Sequence, residues 1–150
     1  MYNQSEVTYK ENNMTEQTLM LIKPDGVKRA MIGNIINRVE NKGYRIIDMK
    51  MVVPTEQLLN KHYAEHVGKS FYPALLEYMT SGPVVVMIGE GTNVVSGWRA
   101  MMGETNPTSA MPGTIRGDLG REWDEPAMMN VVHGSDSVTT AKYEISLWFD

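Results

Sequence analysis

Short apolar segments alternate with segments of helical period along this chain, and this alternation limits the folds that it can adopt more than any other feature. The apolar segments predict four strands, at about residues 18–23, 44–53, 84–88 and 130–133. Apolar residues spaced three and four apart predict helices at about 31–39, 55–66, 71–81 and 92–102. The alternation by itself favours a parallel α/β sheet, whereas two helices between the second and third strands also suit a ferredoxin-like α+β sandwich. Periodicity leaves both folds open.

The second strand and the end of the chain give further information about packing. The second strand alternates strictly, which is typical of a strand covered on one side; its apolar face consists of Ile47, Met49, Met51 and Val53. After the fourth strand, Ser135 or Ser137 can cap a last helix that ends near residue 144. We expect residues 145–149 to form an apolar tail that docks on the domain or on another subunit.

The composition excludes several classes of protein. There is no cysteine among the 150 residues, so disulfides, thiol catalysis and thiolate zinc sites are excluded. A formal net charge of -4 argues against a protein whose main partner is a nucleic-acid backbone or an anionic membrane. No apolar segment approaches the roughly 18 residues of a transmembrane helix, and polar residues 1–13 lack the apolar core of a signal peptide. We therefore expect a cytoplasmic protein.

The chain predicts one domain after a polar start. Residues 1–17 are polar with scattered apolar positions, which indicates a disordered extension. Residues 18–150 contain no repeat and no low-complexity tract, so we expect a single domain. From about residue 104 to 130 the sequence shows neither the helical nor the strand pattern of apolar residues. A stretch of that length without regular structure is usually functional when it lies inside a compact domain.

Two short motifs match known sites but are poorly supported. Gly68-Lys69-Ser70 resembles the end of a phosphate-binding Walker loop, yet Tyr63 stands where the first glycine should be and a helix precedes the segment. An ordinary loop is the better interpretation. Residues 62–66 fit the H-x-x-E-H zinc pattern, which places His62 and His66 on one helix face. Because the sequence indicates no third ligand, a solvated helix face is favoured over a metal site.

Four further segments carry polar residues that suit an anion site. They read KPDGV at 23–27, GETNP at 103–107, PGTIRGD at 112–118 and NVVHGSDS at 130–137. Lys23, Arg99 and Arg116 can supply the cations that a phosphate needs, and His133 can act as a nucleophile. Taken singly, each of these residues also has an ordinary structural explanation, such as a helix cap or a half-buried histidine.

Together and in this order, the four segments closely resemble the nucleoside diphosphate kinase family over about residues 18–149. With this resemblance we expect the α+β fold, a ferredoxin-like sandwich with a four-stranded antiparallel sheet, helices packed on it and a long loop before the last strand. The resemblance implies a ping-pong transfer of the γ-phosphoryl group from a nucleoside triphosphate such as ATP to a nucleoside diphosphate. A phosphohistidine is the intermediate, and base specificity is low.

The resemblance also implies roles for the matching residues. His133 is the nucleophile, Glu144 holds its ring in one tautomer, and Ser135 supports that glutamate. Lys23 and Tyr63 complete the catalytic set. The nucleotide-binding residues are Lys23, Phe71, Leu75, Arg99, Thr105, Arg116 and Asn130, with the aromatic ring stacking on the base.

Cofactor and partners follow from the same resemblance. Mg²⁺ is expected, held mainly through the nucleotide phosphates with no direct protein ligand. The expected partners are nucleoside tri- and diphosphates and further copies of the chain, in a hexamer or a tetramer, without stable nucleic acid or membrane. Residues 119–129 are longer than the family usually has here and lack the usual Gly-Arg before Asn130. The alternative is a catalytically silent family member that binds nucleotide or a protein.

Overall fold

This computed structural model describes residues 15–150 of the chain. Strands and helices alternate as β1 (Thr15–Ile22), α1 (Pro24–Lys28), α2 (Ile32–Asn41), β2 (Arg45–Val52), α3 (Glu56–His62), α4 (Tyr72–Met79), β3 (Val84–Thr92), α5 (Val94–Met102), α6 (Ile115–Leu119), β4 (Val132–Gly134) and α7 (Val138–Phe149). No helix of this described range is long and apolar enough to cross a lipid bilayer.

The strands form one antiparallel sheet in the order β2-β3-β1-β4. β1 is central: it pairs with β3 over its whole length and with β4 near its carboxyl end, where Leu21 lies opposite His133. This arrangement confirms the ferredoxin-like sandwich and excludes the parallel sheet that alternation alone had favoured. The long segment between α5 and β4, in which only the short helix α6 forms, is the expected loop before the last strand.

Two hydrophobic cores cover the two faces of the sheet. On one face, Met20 and Met87 pack against α2 and α5, which contribute the fully buried Ile35 and Trp98. On the other face, α3, α4 and α7 contribute the buried Leu59, Met79 and Trp148. Because β1 is covered on both faces, it reads in the sequence as an unbroken apolar run. The pocket described below lies where β1 meets β4.

Several ends of elements differ from their predicted positions: α3 stops at His62 rather than near residue 66, and β3 continues to Thr92 rather than ending near residue 88. β1 begins at Thr15, so residues 15–17, expected to belong to a disordered extension, are part of the sheet; residues 1–14 lie outside the described residues. α7 continues to Phe149 rather than ending near residue 144. The expected apolar tail is therefore helical, and its Trp148 is 2% exposed because it docks in the core.

Strand β2 differs from its prediction in burial. The apolar row that was expected to be covered is open to solvent, with Met49 and Met51 exposed by 50% and 57%. Ile47 and Val53 are exposed as well. β2 is an edge strand, and this single chain leaves the row uncovered.

Candidate active site

A pocket of about 620 Å³ lies beside β4, and the four motif segments converge on it. This volume is within the range of small-molecule sites, about 300–1,000 Å³. Of the residues to which the resemblance gives a role, those lining the pocket are Lys23, Tyr63, Arg99, Thr105, Arg116, Asn130, His133 and Glu144, and both histidines of the H-x-x-E-H motif line it as well. Ser135 reaches the pocket through Glu144, whereas Phe71 and Leu75 are not part of its lining.

His133 in β4 lies against Glu144 in α7. Nε2 of His133 is 3.1 Å from each carboxylate oxygen of Glu144. Because an ionised carboxylate can only accept hydrogen bonds, Nε2 carries the ring proton and Nδ1 keeps its lone pair. Among residues 15–150 no side chain or backbone group is hydrogen-bonded to Nδ1. The ring is thus held with one nucleophilic nitrogen free.

Two neighbours keep Glu144 in place and ionised. The hydroxyl of Ser135 donates to Oε1 of Glu144 at 2.6 Å and accepts the backbone N–H of Leu19 at 3.3 Å. Burial would raise the pKa of Glu144, but the hydrogen bond and charge of His133, with smaller contributions from its other neighbours, lower it overall. The central strand β1 therefore supports, through Ser135, the carboxylate that orients the His133 ring.

Local structure sets the positions of β4 and α7. Ser137 caps α7, with its side chain accepting the backbone N–H of Thr140 at 3.1 Å. The indole of Trp98 donates to the carbonyl oxygen of His133 at 3.1 Å. Gly134 permits this close approach, since a Cβ there would lie 2.5 Å from the Trp98 ring. In the G-S-D-S sequence after His133, the glycine thus allows Trp98 to pack closely and the last serine caps α7.

His62, the last residue of α3, joins this group, although sequence reasoning gave it no catalytic role. Its side chain is 1% exposed, and its Nδ1 lies 3.6 Å from Oε2 of Glu144. The indole N–H of Trp148 donates to the same Nδ1 at 3.1 Å, so the His62 proton is on Nε2. Burial, reinforced by the charge of His133, lowers the pKa of His62 to about 3, so this imidazole is neutral. We call His62, His133, Ser135 and Glu144 the histidine cluster.

Hydrogen bonds join Lys23, Asn130 and Thr105 on another side of the pocket. The ammonium group of Lys23 donates to Oδ1 of Asn130 at 2.7 Å, and the Asn130 amide donates to the carbonyl oxygen of Thr105 at 3.0 Å. Burial lowers the pKa of Lys23 to about 8, and the charge of Arg116 acts in the same direction. Lys23 is therefore a cation whose titration range lies close to neutral pH.

Arg116 and Arg99 supply two further positive charges. Arg116 is buried and donates to the carbonyl oxygens of Gly103, Asn130 and Val132 at 3.0, 3.1 and 2.8 Å. Since a guanidinium has five N–H groups, these bonds within the described residues leave two for a ligand. Arg99 is half exposed and donates to the carboxylate of Asp136 at 2.6 Å. We call Lys23, Arg99 and Arg116 the cation group.

Asp25, in the KPDGV segment, fixes the backbone just before β4. Its carboxylate accepts the N–H of Val131 at 3.1 Å and the hydroxyl of Tyr78. Val131 has a φ of 73°, a left-handed conformation that a β-branched residue rarely adopts. Strain of this kind persists where surrounding contacts hold it, and it concentrates at functional sites. Sequence reasoning assigned Asp25 no role, and its place in the motif was the available signal.

The three remaining candidates have different surroundings. The Tyr63 hydroxyl is buried, has no hydrogen-bond partner among the described residues, and has its pKa raised by burial. Phe71, just before α4, is 47% exposed, and its ring lies edge-on to that of His66 at 5.2 Å. Because His66 lines the pocket, Phe71 lies next to its rim. Leu75 packs against the hydrophobic core that α3, α4 and α7 form on their face of the sheet.

The longer segment 119–129 folds onto the loop that follows α5. The guanidinium groups of Arg121 and Arg29 lie 3.8 and 5.4 Å from the ring centroid of Trp123. Asn106 donates to the carboxylate of Glu122 at 2.7 Å. The segment is thus tied both to the end of α1 and to the loop that carries part of the pocket lining.

One group of side chains in the pocket could hold a metal ion. His62, His133 and Glu144 each offer one ligand atom within 4.8 Å of the others, and they form the one such group that residues 15–150 contain. Two imidazole nitrogens and one carboxylate oxygen suit an ion such as zinc, whereas Mg²⁺ prefers oxygen ligands. His66, the partner of His62 in the H-x-x-E-H pattern, is outside this group.

Known proteins resemble this chain over most of its length. The nucleoside diphosphate kinase family model matches residues 16–150. A nucleoside diphosphate kinase of Eremothecium gossypii is 51% identical over 134 residues, which is 89% of this chain and 86% of that protein. One from Gallus gallus is 52% identical over 138 residues, covering 89% of this chain and 85% of that protein.

Solved structures agree with this match. The halophilic nucleoside diphosphate kinase of Halobacterium salinarum in complex with CDP has a TM-score of 0.86 at 41% identity, covering 91% of this chain and 89% of that one. A transition-state mimic of the Borrelia burgdorferi enzyme with bound vanadate and ADP has a TM-score of 0.85 at 32% identity, covering 91% and 88%. This chain belongs to the nucleoside diphosphate kinase family.

Proposed function

We propose that this chain is a nucleoside diphosphate kinase in which Nδ1 of His133 carries the phosphoryl group between nucleotides. The observation that carries the proposal is the 3.1 Å contact of His133 Nε2 with both oxygens of Glu144, which leaves Nδ1 as the lone-pair nitrogen of the ring. The pocket around it contains the three cations of the cation group. The CDP and ADP bound by the two similar kinases support a nucleotide as its ligand.

The reaction has two half-reactions with one carrier. First, the Nδ1 lone pair attacks the γ-phosphorus of a nucleoside triphosphate, the bond to the bridging oxygen breaks, and the diphosphate leaves with that electron pair. The carboxylate of Glu144 stabilises the Nε2–H of the phosphorylated ring. Then a terminal phosphate oxygen of another diphosphate attacks the same phosphorus and the N–P bond breaks, which returns the lone pair to Nδ1.

The cation group stabilises the transferring phosphoryl group. Phosphoryl transfer depends on positioning and on charge compensation, since its transition state spreads negative charge over the equatorial oxygens. Lys23 and the two remaining N–H groups of Arg116 can contact phosphate oxygens without leaving their present partners. Arg99 must exchange the Asp136 carboxylate for a phosphate.

Mg²⁺ belongs to the substrate in this proposal. The metal-capable group among residues 15–150 is rich in nitrogen and does not resemble the oxygen sites that Mg²⁺ prefers. We therefore assign Mg²⁺ to the phosphates of the nucleotide, where it neutralises part of their charge. We also propose low base specificity, because the exposed ring of Phe71 beside the pocket can stack on any base.

Labelling with ATP carrying a labelled γ-phosphate tests the carrier. We expect label on the wild-type protein that acid releases and base does not, and none on His133→Ala. His66→Ala, which changes another histidine of the pocket, should still be labelled. Wild-type protein without label would contradict the enzyme and support the catalytically silent alternative, whereas label on His133→Ala would place the carrier elsewhere.

We further infer that the chain forms a homo-oligomer, a hexamer or a tetramer. The exposed apolar side chains of Ile47, Met49 and Met51 on edge strand β2, and of Val53 just after it, support this, because edge strands and apolar surfaces of this kind are usually covered. Light scattering should give a molar mass of four or six chains, and Met51→Lys should lower it. A wild-type monomer would contradict the inference. The cytoplasmic location stays a prediction from the sequence.

A further inference from the structure

The histidine cluster has a property that phosphoryl transfer does not use. His62 is buried beside the nucleophile and offers Nδ1 to the same carboxylate that orients His133. The two rings are close, with centroids 4.5 Å apart. A hydrogen bond from Nε2 of His133 to Glu144 would be enough to set its tautomer, so the presence of His62 calls for a separate explanation.

The distances within this group approach those of a tetrahedral zinc site. Zinc binds nitrogen and oxygen ligands at about 2.0–2.1 Å, which separates neighbouring ligand atoms by roughly 3.3 Å. Oε2 of Glu144 is 3.1 Å from Nε2 of His133 and 3.6 Å from Nδ1 of His62. All three ligand atoms lie within 4.8 Å of one another. The two separations from Oε2 of Glu144 thus need only small adjustments.

The chemistry of the three groups also suits a metal ion. The hydrogen bond that Trp148 donates to Nδ1 of His62 shows that the lone pair of this ring is on Nδ1, where an ion would take the place of the indole N–H. Glu144 supplies a negative charge and is held by Ser135 at 2.6 Å, which is how outer partners orient a ligating carboxylate. His133 and Glu144 line the pocket, so a fourth position is open to water.

We propose that His62, His133 and Glu144 form an inhibitory site for a zinc-type divalent transition ion in the nucleotide-free protein. The ion takes the lone pair of Nε2 of His133, and the ring proton moves from Nε2 to Nδ1. Nδ1 then has no lone pair with which to attack phosphorus. Binding therefore blocks the carrier by changing its tautomer, with no net change in the protons on the ring.

This site differs from the one that the sequence motif suggests. The H-x-x-E-H pattern pairs His62 with His66, whereas the structure pairs His62 with His133 and Glu144. The ring of His66 instead lies beside those of Tyr63 and Phe71. Single substitutions of the two motif histidines therefore distinguish the structural site from the sequence motif.

The experiment uses Co²⁺ as a spectroscopic substitute and Zn²⁺ in calorimetry, with full-length protein free of nucleotide and in a buffer without phosphate. We expect one ion per chain and the visible absorption of low-coordinate Co²⁺. His62→Gln should weaken binding at least about tenfold, because even the loss of a group that only orients a ligand typically costs that much. His66→Gln should bind as the wild type does. His133→Asn is a second test and should also weaken binding. Because His133 is partly exposed, this substitution disturbs the fold less than one at the buried His62.

Absence of stoichiometric binding to the wild type would overturn the proposal. So would binding that persists in both His62→Gln and His133→Asn, or that is lost in His66→Gln and kept in His62→Gln. Circular dichroism and ADP binding should confirm that each variant is folded. Because metal binding is measured without any nucleotide turnover, its failure and the failure of the phosphotransferase activity are separate results.

Inhibition by the bound ion is measured separately from binding, and this part of the proposal rests on the proposed function. Protein loaded with Zn²⁺ and freed of excess metal should take up less labelled phosphate from ATP, and a chelator should restore the labelling. Binding without loss of labelling would overturn the inhibitory role.

Discussion

The histidine cluster and the cation group line the same pocket, but different contacts hold them. In the histidine cluster, side chains bind one another, with His133 and Ser135 both joined to the buried Glu144. In the cation group, Arg116 binds the backbone carbonyls of Gly103, Asn130 and Val132, and Arg99 binds Asp136 at an exposed position. The His133 ring is therefore oriented without a nucleotide, whereas Arg99 would have to leave Asp136 to bind a phosphate.

The largest effect should come from breaking the orientation of the nucleophile. In Glu144→Gln the amide can donate a hydrogen bond to Nε2, which moves the ring proton to Nδ1 and removes the lone pair. We expect kcat to fall about 100-fold or more, while nucleotide binding changes little. Steady-state kinetics and ADP titration measure the two quantities. A kcat within twofold of the wild type would show that the carboxylate does not set the tautomer.

A smaller effect should appear in the pH dependence of the cation group. Because the pKa of Lys23 is lowered to about 8, kcat/KM for the triphosphate should fall above about pH 8 as the ammonium loses its proton. Lys23→Arg keeps its charge, so this fall should be absent from its pH profile whatever its absolute activity. The same decline in both proteins would assign it to another group.

The pKa of Lys23 also has a consequence for stability. Its pKa in the folded chain is below the ordinary value of 10.5, so the unfolded chain binds more protons between about pH 8 and 10.5. Lys23 therefore makes folding more favourable as the pH rises through that window. It contributes no such gain below about pH 8, where the ammonium is protonated in both states.

The smallest effect should come from releasing Arg99. An exposed ion pair contributes about 0–1 kcal/mol, so Asp136→Asn should lower KM for nucleotide by at most about fivefold by freeing the guanidinium for phosphate. The salt dependence of KM, measured on both proteins, should be steeper in the variant. A raised KM would indicate that Asp136 positions Arg99 for the phosphate instead of competing with it.

The sequence predicted the elements of the fold better than their surroundings. Short apolar runs located β1, β3 and β4, alternation located β2, and Ser137, one of the two serines expected to cap the last helix, does cap it. These patterns could not tell what covers a face. Met49 and Met51 alternate with polar residues as expected for a half-covered strand, yet both are exposed in the single chain. The alternation does not say whether the covering surface belongs to the same chain or to another one.

The candidate site shows a similar division. Motifs identified the residues around His133, but contacts between distant segments could not be read from them. Asp25 contacts the backbone of Val131, and His62 contacts Glu144 and Trp148. These depend on packing, for which spacing along the chain gives no signal. The roles assigned to the pocket residues stay predictions until the substitutions above are made.

The contacts that hold the strained backbone at Val131 have a consequence for when the site can exist. Lys23 and Asp25 bind Asn130 and Val131 across separations of 107 and 106 residues, and β4 has only the early strand β1 to pair with. During synthesis, the chain can assemble β1, β2 and β3 long before residues 130–148 are available. The pocket is therefore the last part to be completed, and a nascent chain that ends before Glu144 lacks the carboxylate that orients the His133 ring.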